Sequence, residues 1–390
     1  MWSHIFLLLL GCAAAQRVEN LTVGSLRTPA LGVDVYYTPK PLFGWQTSAP
    51  QVAFRVVVAD SLSQAPMWDS GRVASLQPRA VYAGATALGY DADYTLTVSV
   101  YFDSSSSAVQ AVGAFSTGLD SAAWAGSAAW VGSCTAAQQS PQLRTAFSLS
   151  PAPILRARAY VSAVGLFTLH LNGGRVGGGR DVLTPGWSTV PSVRVLADTF
   201  DIAADLRAGG ENVVGMRLGQ GKYGYVYEFC HAGDATCFAG VLHISILQQG
   251  GNETVIQSGP GWTCAPSPIV FQHLFHGESY NATLEQVGWD SPGFSPPQPW
   301  APAPIVRPNV TLLSTGVPPI RTAADVAPKN ISGGAGVPVV SGGKFVIGSS
   351  SPDVFWWADN TTVKNFVQYC VRLPPPPFFA AVTPHCLKPC

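Results

Sequence analysis

The chain has 390 residues, of which 47% are hydrophobic and only 11% are charged, so it is too long for one small core and too apolar for a disordered protein. Its 22 Lys and Arg balance its 22 Asp and Glu, and the basic residues form no cluster, which argues against nucleic acid or a membrane as a partner. Its 40 Gly and 32 Pro favour short strands joined by turns, and therefore an all-β protein of two or more domains.

A leader segment comes first in chain order. Residues 1–15 combine an apolar run at 5–10 with small residues before Gln16, the pattern of a secretory signal peptide. Residues 9–12 also fit a bacterial lipobox, but no Lys or Arg precedes the apolar run, which disfavours that alternative. The predicted location is extracellular, or the lumen of a secretory-pathway organelle.

Residues 17–119 have the alternation of a small β-sandwich. Apolar and polar residues alternate strictly at 94–100, and shorter runs at 43–45 and 54–58 precede this strand. The pattern predicts a fibronectin type III or immunoglobulin-like domain in which Tyr94 forms a tyrosine corner. Trp45 and Trp68 could serve as sugar platforms, but packing in the core is the favoured interpretation.

Residues 125–302 contain a second set of alternating strands, at 166–171, 213–218 and 241–247. Asn172-Gly173 follows the first of them and is a strong signal for a tight hairpin turn. These features predict a jelly-roll-like β-sandwich. Residues 303–373 predict only a partial, irregular third β segment, and the tetraproline at 374–377 opens a Pro- and Cys-containing tail over 374–390 that cannot continue a sheet.

Six of the nine asparagines lie in Asn-X-Ser/Thr sequons, far more than chance would place there. This enrichment favours a eukaryotic secretory route and predicts glycans on exposed positions. The six asparagines are Asn20, Asn252, Asn281, Asn309, Asn330 and Asn360.

Removal of the leader leaves seven cysteines, as expected for a protein of an oxidising compartment. Cys230 and Cys237 enclose a short Gly-containing loop, and a disulfide between them is the best single prediction from spacing. The pairing of the others stays open. No second ligand pair stands at a zinc-like spacing, so no metal site is predicted.

The second sandwich also carries spaced motifs: Asn-Gly-Gly at 172–174, Pro-Gly-Trp at 185–187, Gly-Glu-Asn at 210–212 and Leu-Gly-Gln-Gly-Lys-Tyr at 218–223. In this order they resemble the N-terminal β-sandwich of bacterial-type α-L-rhamnosidases, glycoside hydrolase family 78. Trp-Asp-Ser-Gly at 68–71 resembles the first domain of the same family. The resemblance therefore covers residues 17–302.

The resemblance implies a noncatalytic N-terminal portion of a secreted protein that would release terminal L-rhamnose. The family keeps its catalytic carboxylates in a helical barrel C-terminal to the sandwich, and we expect none of that barrel here, so no catalytic residue is carried over. Glu278, Glu228 and Asp181 are independent candidates, but their spacing implies no partner carboxylate.

Sugar binding is the activity that the resemblance makes most credible, with a rhamnose-containing glycoside or polysaccharide as the partner. Sandwich modules of the family hold rhamnose, sometimes with calcium, through a short polar side chain and an aromatic face. Asn172, Trp187 and Tyr223 are the candidates, although a turn role is the favoured interpretation for Asn172 and a core role for Trp187.

A free-standing extracellular carbohydrate-binding or adhesion protein without enzymatic activity is the alternative function. In the motif Gly-Glu-Ser-Tyr-Asn-Ala-Thr at 277–283, Asn281 and Thr283 stand where the family has Asp and Arg. This exchange removes an expected ion pair, creates a sequon and favours the alternative. The sequence leaves the oligomeric state open.

Overall fold

The computed structural model describes residues 15–104, 107–126, 128–134, 140–179, 181–186, 194–221, 238–273 and 277–321, and the strands at 339–341 and 344–346. Residues up to Arg321 belong to one compact unit, and Thr322–Cys390 form a second. In the second unit, β26 (Val339–Ser341) and β27 (Lys344–Val346) pair as an antiparallel hairpin. Among the described residues no helix is long and apolar enough to cross a membrane.

The first domain is a two-sheet β-sandwich, as predicted from its alternation. One sheet has the order β2-β1-β4-β8, and the other has the order β3-β10-β9-β5-β6, with β7 also paired to β5. Its strands are β1 (Val18–Val23), β2 (Leu26–Arg27), β3 (Ala30–Val33), β4 (Leu42–Thr47), β5 (Ala53–Asp60), β6 (Pro66–Asp69), β7 (Val73–Ala74), β8 (Arg79–Val81), β9 (Asp93–Tyr101) and β10 (Val109–Thr117).

The core of this sandwich is aromatic. Trp45 is buried and its Nε1 donates to Gln51 Oε1 at 2.8 Å, while Trp68 packs between Phe43 and Tyr82. Both tryptophans therefore have the packing role that the sequence favoured. The Tyr94 hydroxyl accepts a hydrogen bond from the backbone N–H of Gly89 at 2.7 Å, the geometry of a tyrosine corner.

The second domain is a larger sandwich that follows a short helix, α1 (Ser121–Gly126). One sheet has the order β24-β11-β18-β13-β16-β25, with β19 also paired to β18, and the other has the order β15-β14-β17-β12-β20-β23. The strands are β11 (Trp130–Val131), β12 (Pro141–Ser148), β13 (Ile154–Val164), β14 (Leu166–Leu171), β15 (Gly174–Arg175), β16 (Arg194–Asp201), β17 (Glu211–Gly219), β18 (Ala239–Gln248), β19 (Asn252–Gln257), β20 (Thr263–Pro266), β21 (Ile269–His273), β22 (Gly277–Tyr280), β23 (Ala301–Pro302), β24 (Ile305–Val306) and β25 (Thr311–Ser314).

The C-terminal limit of the second sandwich differs from the sequence-based boundary at residue 302. β24 pairs with β11, and β25 runs parallel to β16 over residues 194–197. Residues 303–314 therefore complete the second sandwich instead of opening a third segment. The sequence could not predict this because two-residue and four-residue edge strands carry too little alternation to be recognised.

A disulfide joins Cys134, just after β11, to Cys264 of β20, with their Cα atoms 5.9 Å apart. Since these strands belong to different sheets, the bond ties the two layers of the second sandwich together. Spacing alone did not suggest this pair, because the two cysteines are 130 residues apart. The predicted pair, Cys230 and Cys237, lies outside the described residues.

Candidate functional site

Asn172 is the one predicted sugar ligand that the structure describes, and its amide is engaged by the protein. It occupies the β14–β15 turn with φ of 52°. Its Nδ2 donates to Asp205 O and to Asn212 Oδ1, both at 2.8 Å, and its Oδ1 accepts from Val213 N at 2.9 Å. Both amide hydrogens are therefore used, and the arrangement gives Asn172 the turn role. Trp187 and Tyr223 lie outside the described residues.

One outer face of the second sandwich is covered by its own chain. His170, Gln142, Arg144 and Arg217 project from β14, β12 and β17, on the side opposite the core residues of these strands. The segment 286–300 lies on this face. His170 Nδ1 is 2.7 Å from Asp290 Oδ2, and the hydrogen bond and charge of His170 outweigh the opposing effect of burial, so the pKa of Asp290 is lowered.

On the same covered face, aromatic rings pack against one another and against arginine side chains. Trp289 stacks on Trp300 at a ring distance of 6.1 Å, and the Arg144 guanidinium lies 5.2 Å from the Phe294 ring and 5.9 Å from the Trp300 ring. Burial lowers the pKa of Arg144 and of Arg217. The contacts are those of cation–π packing between a segment and its sheet, and they bury Trp289 almost completely.

The opposite outer face receives the first domain through a cluster of charged side chains, four of them partly buried and the fifth, Asp201, exposed. Arg156 of β13 pairs with Asp91 and, through Nε, with Asp93 Oδ2 at 2.7 Å. Arg158 reaches Asp93 Oδ1 at 3.2 Å and Asp201 Oδ2 at 2.8 Å. We call these five residues the junction cluster. Burial lowers the pKa of Arg156, but the two aspartates outweigh it and the pKa is raised.

Two further contacts join the first domain to the second. The hydroxyl of Tyr160 donates to Asp91, and burial followed by the charge of Asp91 raises the pKa of this hydroxyl. Gly32 has a φ of 68°, and a Cβ at this position would collide with the side chain of Thr199 in β16. The backbone of the first domain therefore lies directly on the second domain.

A cleft of about 220 Å³ opens beside the junction cluster. It is lined by Tyr90, Asp120 and Arg156, by His243 and Ser245 of β18, and by Glu253 of β19. Ser245 is 9% exposed, and its Oγ has no hydrogen-bond partner among the described residues. Burial lowers the pKa of His243, whose Nδ1 lies 2.9 Å from the Gln257 amide. Hydroxyl, imidazole, carboxylate and one aromatic ring are groups that can hold a small hydroxylated ligand.

Asp181 and Asp198 form a pair of buried carboxyl groups that the sequence did not reveal. Asp181 is held by Arg321 Nε at 2.6 Å, whereas Asp198 Oδ2 has no hydrogen-bond partner among the described residues. Burial, and then the charge of Asp181, raises the pKa of Asp198 to about 7. Asp198 lies in an alternating apolar strand, so only its burial distinguishes it from a surface aspartate.

Calcium binding does not fit the residues that the structure describes. No group of three or more His, Cys, Asp or Glu side chains in this part of the chain could hold a metal ion. The Asp181 and Asp198 pair already has a cation, Arg321, on one carboxylate, and Ca²⁺ usually takes about six to eight oxygen ligands. No chemistry is therefore derived through calcium.

The four sequon asparagines in the described ranges, Asn20, Asn252, Asn281 and Asn309, are all exposed. Asn330 and Asn360 lie outside the described residues. A glycosylated asparagine must be exposed to solvent, and these four meet that requirement. Glycosylation stays a prediction for all six positions.

Both domains match families of rhamnosidase domains. Residues 152–324 match the model described as the alpha-L-rhamnosidase N-terminal domain. Residues 18–121 match the Rha78A-like N-terminal immunoglobulin domain. The first match includes β24 and β25, in agreement with the boundary that the sheet defines.

Two relatives match this chain over a fraction of their own length. An α-L-rhamnosidase of Streptomyces avermitilis is 38% identical over 174 residues, which is 44% of this chain and 16% of the relative. One from Formosa agariphila is 25% identical over 319 residues, which is 74% of this chain and 33% of the relative. The chain thus spans a third or less of these two relatives.

Solved structures agree with the sequence matches. The α-L-rhamnosidase of Dictyoglumus thermophilum superposes with a TM-score of 0.67 at 27% identity, over 81% of this chain and 37% of that chain. The enzyme of Aspergillus terreus gives a TM-score of 0.69 at 22% identity, over 83% of this chain and 38% of that chain, and supports the fold.

The two sandwiches and these matches place the chain in the class of β-sandwich domains found in glycoside hydrolases. More particularly, residues 18–121 and 152–324 are homologous to the N-terminal domains of the α-L-rhamnosidases of glycoside hydrolase family 78.

Proposed function

We propose that the chain is the noncatalytic N-terminal portion of a secreted α-L-rhamnosidase-like protein, whose complete form releases terminal L-rhamnose from glycosides or polysaccharides. The observation that carries the proposal is that one chain contains both N-terminal domain types, the immunoglobulin-like domain first and the rhamnosidase N-terminal domain second. The family match supports rhamnoside chemistry for the complete protein, and the leader and sequons support secretion.

The junction cluster supports a scaffolding role. Partly buried ion pairs between the domains and the close approach at Gly32 fix the first domain on the second, as an enzyme's accessory region requires when it must hold a catalytic domain in place. A flexible chain of adhesion domains would instead be expected to have exposed linkers between its sandwiches.

The described carboxyl groups do not provide a glycosidase pair. Such a pair flanks the glycosidic bond on a substrate-accessible frame, whereas Asp181 and Asp198 are buried. Glu278 is exposed on β22, and in the described structure it has no hydrogen bond that would position it as an acid or a base. We therefore expect the chain alone to be inactive.

Hydrolysis of an aryl α-L-rhamnoside by the purified 390-residue chain is the experiment. The expected result is no release of the aryl group above the blank after two chromatographic purifications, because no acid and base among the described residues flank a substrate site. Turnover that persists through purification and is lost in Glu278→Gln or Asp198→Asn would overturn the proposal.

A second candidate function is carbohydrate binding by the chain itself. The cleft favours it, because there the Ser245 hydroxyl has no hydrogen-bond partner among the described residues. Trp187 and Tyr223 are the aromatic residues that the sequence offers for the same role. Isothermal titration with L-rhamnose, with and without calcium, tests it in the wild type, Trp187→Ala and Ser245→Val. Heat that disappears in one variant while its thermal melt is unchanged supports binding there, and no heat at millimolar sugar excludes the function.

A further inference from the structure

Four exposed apolar side chains lie on the β21–β22 hairpin and in the residues that follow it. Tyr280, Leu284 and Val287 lie within eight residues of one another and are 51%, 37% and 87% exposed. Val270, on the facing strand of the hairpin, is 46% exposed. We call these four residues the hairpin patch. A single exposed apolar residue is ordinary, but a cluster of them on one segment usually has something that covers it.

Asn281 lies inside the hairpin patch and starts a sequon with Thr283. Its Oδ1 accepts hydrogen bonds from Thr283 N at 3.1 Å and from Thr283 Oγ1 at 2.8 Å. The Leu284 N–H donates to the Asn281 carbonyl at 3.0 Å, which brings one patch residue within a turn of the asparagine. In the described structure the Asn281 Nδ2 makes no hydrogen bond, so a substituent there displaces no contact.

The other described sequons differ from Asn281. Asn20 has its Nδ2 bonded to Gln46 Oε1 at 2.6 Å, so a glycan there would break a contact of the folded domain. Asn309 stands between Pro308 and Val310, neither of which is a large exposed apolar residue. Asn252 begins β19 after the Gly250-Gly251 turn. None of the three has a comparable cluster of exposed apolar residues in its own segment.

We propose that an N-linked glycan on Asn281 covers the hairpin patch and keeps the secreted chain monomeric. The modification joins the Asn281 Nδ2 to the anomeric carbon of a lipid-diphosphate-linked oligosaccharide. The carbon–oxygen bond to the diphosphate breaks, and the amide loses one proton. The occupant of the patch is thus a sugar chain attached at its centre, whose hydroxyls face water while its C–H surfaces lie on the apolar side chains.

This inference rests on the secretory route of the proposed function, and the experiment separates the two. The full chain is secreted from a eukaryotic host as the wild type, Asn281→Gln, Thr283→Ala and Thr283→Ser, the last of which retains the sequon. Asn252→Gln and Asn309→Gln are matched controls that each remove one glycan elsewhere. Mass spectrometry gives the occupancy of each site, light scattering gives the mass in solution, and the dye ANS reports exposed apolar surface.

We expect glycan on Asn281 in the wild type and in Thr283→Ser. Asn281→Gln and Thr283→Ala should at least double the ANS fluorescence and shift material from monomer to larger species, and the control variants should not. Adding Leu284→Ser and Val287→Ser to Asn281→Gln should restore the monomer, because two of the four apolar side chains of the hairpin patch are then polar.

Unmodified Asn281 in a chain that carries glycans elsewhere would overturn this inference alone, as would unchanged ANS fluorescence and mass in Asn281→Gln. A secreted chain without glycan at any sequon would overturn the predicted secretory glycosylation as well.

Discussion

At the residue scale, Asn172 shows how one amide organises a turn. The Asn-Gly dipeptide predicted the turn from sequence, and the structure adds that the amide bridges two segments, through Asp205 and Asn212. These partners are 33 and 40 residues away, so no local pattern contains them. The same side chain that suggested a sugar ligand is therefore accounted for by hydrogen bonds inside the domain.

Substitution of Asn172 tests this role. Asn172→Ala should lower the free energy of unfolding by about 1–3 kcal/mol, because buried partners lose their hydrogen bonds and the residue keeps a positive φ that alanine disfavours. Asn172→Gly is the matched control for the backbone, since glycine accepts this φ, and it should lose only the hydrogen-bond part. Denaturant unfolding measures both, and changes below about 0.5 kcal/mol in each would contradict the assignment.

Asp198 should make the stability of the wild type depend on pH. Burial, and then the charge of Asp181, raises its pKa in the folded protein to about 7 from the ordinary 3.8 of an aspartate, so between these pH values the folded state binds more protons than the unfolded state. Stability from this group is therefore present at acid pH and is lost as the pH rises from about 4 to about 7.

Asp198→Asn should remove this dependence. The free energy of unfolding of the variant minus that of the wild type should be on the order of 2–4 kcal/mol larger at pH 8 than at pH 4.5. Urea unfolding of both proteins at the two pH values gives the difference, in which the contributions of other groups cancel. Parallel pH profiles of the two proteins would show that Asp198 is ionised in the folded state.

At the element scale, the alternation of apolar and polar residues was sufficient for the long strands. β9, β14, β17 and β18 all lie where the pattern predicted strands, because each has a core face and a different opposite face. The pattern fails at β24 and β25, which are short and are defined by their partners. It also gives no connectivity between sheets, which is why the Cys134–Cys264 bond was not predicted.

The disulfide should be a main support of the second sandwich. Peptide mapping without reduction should recover Cys134 linked to Cys264, and the double variant Cys134→Ser, Cys264→Ser should lose about 2–5 kcal/mol of unfolding free energy. Unmodified thiols on both cysteines in the oxidised, secreted chain would contradict the pairing, and so would a variant as stable as the wild type.

At the scale of the whole molecule, the sequence located two domains but not the way they join. Arg156, Arg158 and Tyr160 alternate with the core residues of β13, and in a sequence this looks like a solvent-facing strand face. The charges that cover the face, Asp91 and Asp93, come from the other domain. The cleft at the junction could not be predicted from the sequence for the same reason, since its lining residues are brought together only by domain packing.

The junction cluster should couple the unfolding of the two domains. Arg156→Met leaves Asp91 and Asp93 with an incomplete set of partners. Arg156 is 14% exposed and the two aspartates are 24% and 21% exposed, so the loss should lie between the roughly 1 kcal/mol of an exposed pair and the about 3–5 kcal/mol of a fully buried one. Arg55→Met is the matched control, because Arg55 and Asp69 form an exposed pair, 48% and 39% accessible, and loss of such a pair costs about 1 kcal/mol or less.

Calorimetry distinguishes the variants. The wild type and Arg55→Met should unfold in one transition, and Arg156→Met in two, as the first domain separates from the second. A single transition at the wild-type temperature in Arg156→Met would mean that the two domains do not depend on this cluster.

The native protein in secreted material from its source tests the central claim most directly. Antibodies against residues 18–321 would isolate it, and its deglycosylated mass, its peptides and its activity on an aryl α-L-rhamnoside would be measured on the same sample. We expect a mass well above the 41.0 kDa of the 390-residue chain, peptides that continue beyond Cys390, and release of rhamnose. A deglycosylated product of about 41.0 kDa or less that ends at Cys390 and hydrolyses nothing would contradict it, and would leave a free-standing binding protein.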